Sequence, residues 1–260
     1  MVGVTTTAEV ASQADERIRR LESQLVREYD DVPPSLVHEW IERARARFGG
    51  ARVQEYVPLF VAREVRASAR AFPVAETTGT FLSSWARNTA RRLLAEELPR
   101  RWAHTAGVAR RAEHVARVLP EDERELLVAA AWVHDIGYAS EVTDTGLHSL
   151  DGARYLRRAG MSERICGLVA HHSGAAAVAR LVGHADGLAE FTDQRGRLRD
   201  ALWYCDMSTG PDGQPTTVHG RLAEIRQRRG PEDPVVRALA INGDERLAAV
   251  RRTHRLLRRK

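Results

Sequence analysis

Lysine is almost missing from this chain. Lys260 is the single lysine among 260 residues, so the net charge of +5 and the pI near 9.7 rest on arginine. Basicity alone would admit nucleic acid, an acidic membrane surface or phosphate-bearing small molecules as partners. Here the 40 cations are spread along the chain and interleaved with 35 acids, the pattern of solvated helix faces. Only Arg251-Arg252 to Arg258-Arg259-Lys260 forms a basic cluster, and a helix end favours cations anyway. A nucleic-acid partner is therefore not expected. Cysteine is scarce as well: Cys166 and Cys205 exclude a disulfide framework and read as buried helical thiols. No long hydrophobic run exists; the longest, Leu126–Val133, is too short to span a bilayer. The N-terminus lacks the basic-then-apolar order of a signal peptide, so a cytoplasmic location without a membrane partner is expected. Methionine and aromatic residues are too few for a cofactor box. Sustained alternation of β-branched residues, internal repeats and a βαβ rhythm are all absent.

What is present is helical periodicity, and the expected class is all-α. Residues 1–14 are small and polar and are expected to be disordered. Residues 15–69 carry three helical patterns: Ile18, Leu21, Leu25, Val26 and Tyr29; then Leu36, Val37, Trp40, Ile41, Ala44 and Phe48; then Tyr56, Val57, Phe60, Val61 and Val65. Asp30 to Pro34 and Gly49-Gly50 read as stops between them, and Pro58 implies a kink or a helix start near Tyr56. Residues 70–80 read as a linker. From Phe81 to residue 260 the helical pattern continues as one larger domain. Three short helices make a marginal unit, for which self-association is a remedy.

One dipeptide stands out. His134-Asp135 closes the apolar stretch LLVAAAWVHDIG, with Gly137 supplying the stop. Ten His and fourteen Asp in 260 positions give about 0.5 such pairs by chance, so the dipeptide alone means little. Its place at the buried end of an apolar helix means that something must satisfy it. A divalent metal is one answer and a hydrogen-bonded core pair is the other.

His104, then His134-Asp135, then Asp206 resemble, in order and spacing, the HD superfamily of metal-dependent phosphohydrolases. His134-Asp135-Ile136-Gly137 is similar to its HDIG variant, and His148 with His171-His172 to the extra ligands of its two-metal branches. The resemblance spans about residues 95–210. It implies an HD-type helical bundle over 81–260. It also implies that His104, His134, Asp135 and Asp206 hold one metal, with Asp135 bridging to a second completed by His148, His171 and His172. Without thiolate ligands, Fe, Mn or Co is expected, with Mg also compatible. A mononuclear site using the first four residues is the alternative. His134 and Asp135 would carry the catalysis, in which a metal-bound hydroxide cleaves a phosphoester of a nucleotide or another phosphorylated small molecule. Many relatives carry a lysine after the His-Asp pair; here Tyr138 follows Gly137. The phosphate grip is therefore assigned to Arg154, with Arg157 and Arg111 behind it and Tyr138 nearby. The hydroxyl-rich turn MSTGPDGQPTT after Asp206 adds Thr209, with Asp212, as a shaper of the substrate pocket. The cyclic-dinucleotide branch is disfavoured because no Gly-Tyr-Pro element follows His171-His172. Residues 21–68, through the DVPP turn and the ARARFGGARVQEYVP stretch, also resemble a bacterial three-helix module that mediates dimerisation, which implies a homodimer; a nucleic-acid-binding helical unit is the alternative. A non-catalytic HD protein that senses a ligand or scaffolds a partner is the competing functional reading.

Overall fold

The structure is a computed structural model that describes residues 7–29, 34–48, 56–70 and 80–258. The fold is all-α: among the described residues there is no strand, only an isolated bridge between Thr209 and Pro215. The chain divides into two compact units, Met1–Pro73 and Val74–Lys260.

In the first unit, helix α1 (Thr7–Glu28) begins inside the segment expected to be disordered. Residues 7–14 are helical because Ala, Glu and Gln run from Thr7 without Gly or Pro to interrupt them. Residues 1–6 lie outside the described residues, as do the expected stops at 30–33 and 49–50 and residues 71–79 of the expected linker. Helix α2 (Pro34–Phe48) starts on a proline, and α3 (Val57–Arg70) carries Pro58 in its first turn, where no intrahelical N–H is needed. Ile18, Leu25, Val37, Trp40, Ile41, Val57, Val61 and Val65 fill the core between the three helices. Arg66 of α3 clamps Glu28 of α1 with two hydrogen bonds of 2.9 Å.

The second unit contains α4 (Thr80–Leu94), α5 (Pro99–Ala116), α6 (Glu121–Val133), α7 (His148–Arg158), α8 (Glu163–Ala170), α9 (Ala175–Val182), α10 (Ala185–Ala189), α11 (Arg197–Met207), α12 (Val218–Arg229) and α13 (Pro234–Leu257). Helix α6 is central. Its first turn holds Glu121, Asp122 and Glu123, which suit the positive end of the helix dipole. Leu127, Ala129, Ala130, Ala131 and Val133 are then fully buried, and an all-round apolar helix is an interior one. The alanines let α4 and α5 close on it, and α11 packs on α5, α6 and α13. The stretch Glu163–Val182 is long and apolar enough for a membrane span, yet most of it is buried within the fold. It is also two helices: Ser173 (φ 46°) and Gly174 (φ 73°) break it between α8 and α9.

Candidate metal centre

Four helix ends and one helix middle converge at one end of the second unit. His104 projects from α5. His134 caps the C-terminus of α6, and Asp135 begins the 3-10 turn Ile136–Tyr138. His148 opens α7, His172 follows α8, and Asp206 lies in the last turn of α11. The close approach of α7 depends on Gly137. A Cβ at that position would meet the His148 carbonyl oxygen at 1.8 Å, so only glycine lets the chain carry His148 against the 3-10 turn.

Asp135 is the centre of the cluster. Its Oδ2 lies 3.3 Å from His134 Nε2 and 3.8 Å from His104 Nε2. Its Oδ1 lies 3.5 Å from His148 Nε2 and 3.7 Å from His172 Nε2. Two groups with metal-ligand spacing result, His104/His134/Asp135 and Asp135/His148/His172, sharing the one carboxylate. Asp206 joins the first group through Oδ1, 3.0 Å from His104 Nε2.

The tautomers follow from the backbone. His104 Nδ1 donates to the Gly210 carbonyl (2.9 Å), His134 Nδ1 to that of Ala131 (2.7 Å) and His172 Nδ1 to that of Val169 (2.6 Å). A carbonyl can only accept, so each Nδ1 bears the proton; in the neutral ring the Nε2 of His134 and of His172 then offers a lone pair inward, while His104 Nε2 is in hydrogen-bonding contact with Asp206. This is the outer hydrogen bond that orients metal-ligating imidazoles. His134 Nε2 is fully buried and makes no hydrogen bond, a cost that a cation would remove. His148 and His172 face each other, Nε2 to Nε2, at 3.2 Å. The donor set therefore fits one or two divalent ions of the kind bound by imidazole and carboxylate.

The two carboxylates dominate the electrostatics, and their charge raises the His134 pKa against its burial. Burial opposes ionisation of Asp135, but the Arg101 guanidinium and His134 hold its pKa well below the ordinary value. Asp206 is likewise buried, and the hydrogen bond from His104 holds its pKa well below normal. Burial, aided by the Arg101 guanidinium, pushes His148 well down against the pull of Asp135. The carboxylates thus stay charged while His148 stays neutral.

A cavity of about 430 Å³ opens on the cluster. Asp135, His148, His172 and Asp206 reach it, and Tyr138 forms part of its wall. Tyr138 stacks on His148 with ring centroids 4.1 Å apart and planes at 14°, and the Arg101 guanidinium lies 4.1 Å over its other face.

Several expected site residues stand elsewhere. His171 is not brought to the cluster: it caps α8, and its Nε2 donates to the Phe191 carbonyl at 2.8 Å. Adjacent residues on a helical turn point about 100° apart, and only His172 faces inward. Arg154 pairs with Glu190, and Arg157 with Glu163, both away from the cavity. Arg111 reaches the Tyr204 hydroxyl instead. Thr209 is buried, its hydroxyl donating to the Cys205 carbonyl, and its methyl packs where Gly107 leaves room. Asp212 is paired with Arg100 on the surface.

Other residues take these places. Arg101, one turn before His104, donates to Asp135 Oδ2 at 2.7 Å. That spacing on α5 was a readable sign. Ser173 donates to Asp206 Oδ2 from a left-handed backbone, a conformation costly for a side-chain-bearing residue and held by the packing around it. Arg221 and Arg246, from α12 and α13, line the cavity beyond any motif.

No curated protein and no solved structure matches the chain. Residues 101–205 match the family model of the HD domain, a match that supports membership of the HD superfamily.

Proposed function

We propose that this protein is a metal-dependent phosphohydrolase of the HDIG type, acting on a nucleotide or another phosphorylated small molecule. One observation carries the reading. The two oxygens of Asp135 face two different histidine pairs, His104/His134 and His148/His172, each through its Nε2 atoms. His104, His134, Asp135 and Asp206 would hold one ion, and Asp135, His148 and His172 a second. Such ions lower the pKa of water and offset charge on phosphoryl oxygens. Without thiolates in the set, Fe, Mn or Co suits these donors.

The chain's own groups then do the rest. Asp135, ionised beside Arg101, keeps both oxygens available. Ser173 and His104 orient Asp206. Tyr138 and Arg101 hold the His148 ring in place from the cavity side. Ala175, Val178 and Val182 give the cavity an apolar wall that limits water around a bound ester.

The test is metal analysis of purified protein followed by a phosphatase screen after Mn or Fe reconstitution, with Asp135→Ala in parallel. Bound transition metal and activity lost in Asp135→Ala are expected. Absence of both metal and activity would sink the enzyme and leave a ligand-sensing or scaffolding protein.

The first unit enters the same proposal as a dimerisation module. Tyr56 and Leu59 expose 55% and 65% of their surfaces at the start of α3, and large apolar residues so exposed suit a second copy of the chain. Light scattering on Leu59→Glu tests this; a mass unchanged from wild type would remove Leu59 from any interface.

A further inference from the structure

Arg246 is the arginine of this cavity that no acid among the described residues contacts, its charge offset only across space by Asp206 and Glu245. It projects from α13, is 3% exposed and lines the cavity beside His172, Ser173 and Asp206. Its Nε donates to Asn242 Oδ1 at 2.9 Å, and Asn242 in turn donates to the Gly174 carbonyl at 2.7 Å. Gly174 fixes the distance. A Cβ there would stand 2.2 Å from Asn242 Nδ2 and 3.0 Å from Arg246 Nε, so the turn that carries His172 presses directly on the guanidinium. The terminal nitrogens of Arg246 make no hydrogen bond or ion pair among the described residues.

The other arginines of the cavity are engaged. Arg101 serves Asp135, Arg221 and Arg228 share Glu224, and Arg229 is bound to Asp233. A buried guanidinium whose terminal nitrogens no acid contacts is costly unless an anion completes it. Its planar fork matches a tetrahedral oxyanion. The apolar wall of Val178, Val182, Ile225 and Val235 faces the same space, so an occupant carries an apolar face as well as an anionic end.

We infer that Arg246 grips a phosphoryl oxygen of the substrate, and that the substrate is a phosphate ester whose organic part lies against the apolar wall from α9, α12 and α13. The identity of the anion as a substrate phosphate rests on the phosphohydrolase reading; the anion site itself does not. Arg246 takes the role that the sequence reading assigned to Arg154. It lies outside residues 101–205, so the family match does not include it.

The probe is inorganic phosphate, titrated calorimetrically into full-length wild type, Arg246→Met and Arg246→Lys, each as metal-free and as Mn-loaded protein. Wild type is expected to bind in both forms. Arg246→Met is expected to weaken binding about 10- to 100-fold, the usual worth of a charge-assisted hydrogen-bonding group, with Arg246→Lys between the two. Metal content should be equal in all three. In parallel, wild type is treated with phenylglyoxal and mapped by mass spectrometry, with phosphate expected to protect Arg246. Phosphate binding unchanged in folded Arg246→Met, no phosphate binding by wild type, or no protection of Arg246 would each overturn the inference. If Arg246→Met does not fold, the protection map on wild type decides alone. Arg246-dependent phosphate binding in a protein with neither metal nor hydrolysis would uphold the anion site and remove the hydrolase reading.

Discussion

Gly137 and His148 are in backbone contact so close that a methyl group on residue 137 would stand 1.8 Å from the His148 carbonyl oxygen. The glycine that ends the His-Asp motif is thus a seat for the next ligand. Gly137→Ala should push α7 away and disperse His148 from Asp135, leaving His104 and His134 where they are. Metal content should fall to the share held by the first histidine pair. Overpacking of this kind lowers stability by about 1–3 kcal/mol. Elemental analysis with a denaturation curve checks both; unchanged content would mean that α7 is not seated by this glycine.

Tyr138 supports His148 from the side by stacking and is itself covered by Arg101. Tyr138→Phe keeps the ring and should bind metal as wild type does. Tyr138→Ala removes the support and should weaken metal binding about 10-fold or more, as outer partners of ligands do. Equal affinities in competition with a chelator would show that the stack is only packing.

Asp151 is 1% exposed and organises the loop before His148. Its carboxylate accepts from the backbone N–H groups of Asp144, Thr145 and Gly146 and from the Thr145 hydroxyl. Asp151→Ala orphans these donors, at about 1–3 kcal/mol. Amide exchange should quicken at residues 144–148 before it does elsewhere. Exchange unchanged in that loop would refute the role.

Both thiols are interior. Burial, aided by nearby Glu163, pushes the Cys166 thiol up to about 12, and burial pushes Cys205 up further. The native protein should resist iodoacetamide at pH 8 and react fully when denatured. The sign of the pH effect follows from the raised native values. The contribution to stability is complete below the unfolded thiol pKa, about 8.5, and is lost as pH rises through the native values. Urea midpoints measured from pH 8 upward should fall; rapid native alkylation would contradict the burial.

The residues of the cluster are legible because each marks a change in pattern: His134 where an apolar run stops, His148 where a helix starts, Asp206 where one ends. The arginine proposed to grip phosphate was not legible. Arg154 follows His148 by six positions, and six steps of 100° turn it to another face of α7, where Glu190 holds it. His171 fell to the same geometry. Arg246 did leave a trace, since Asn242 and Arg246 are polar steps on the stripe that includes Leu239, Ala249 and Val250. Periodicity marks such a stripe as buried but does not say against what. Its neighbour, Gly174, is remote in sequence and is brought there only by tertiary packing. Residues 7–14 were misread because small polar residues were taken as disordered, when their helix propensity was sufficient.

The cavity walls come from different passages of the chain. The ligands sit on α5 to α8 and α11, while much of the wall opposite them belongs to α12 and α13. Chemistry and choice are therefore written separately. Substitutions in the last two helices should reshape the cavity while the six converging residues, and with them the metal content, stay as they are.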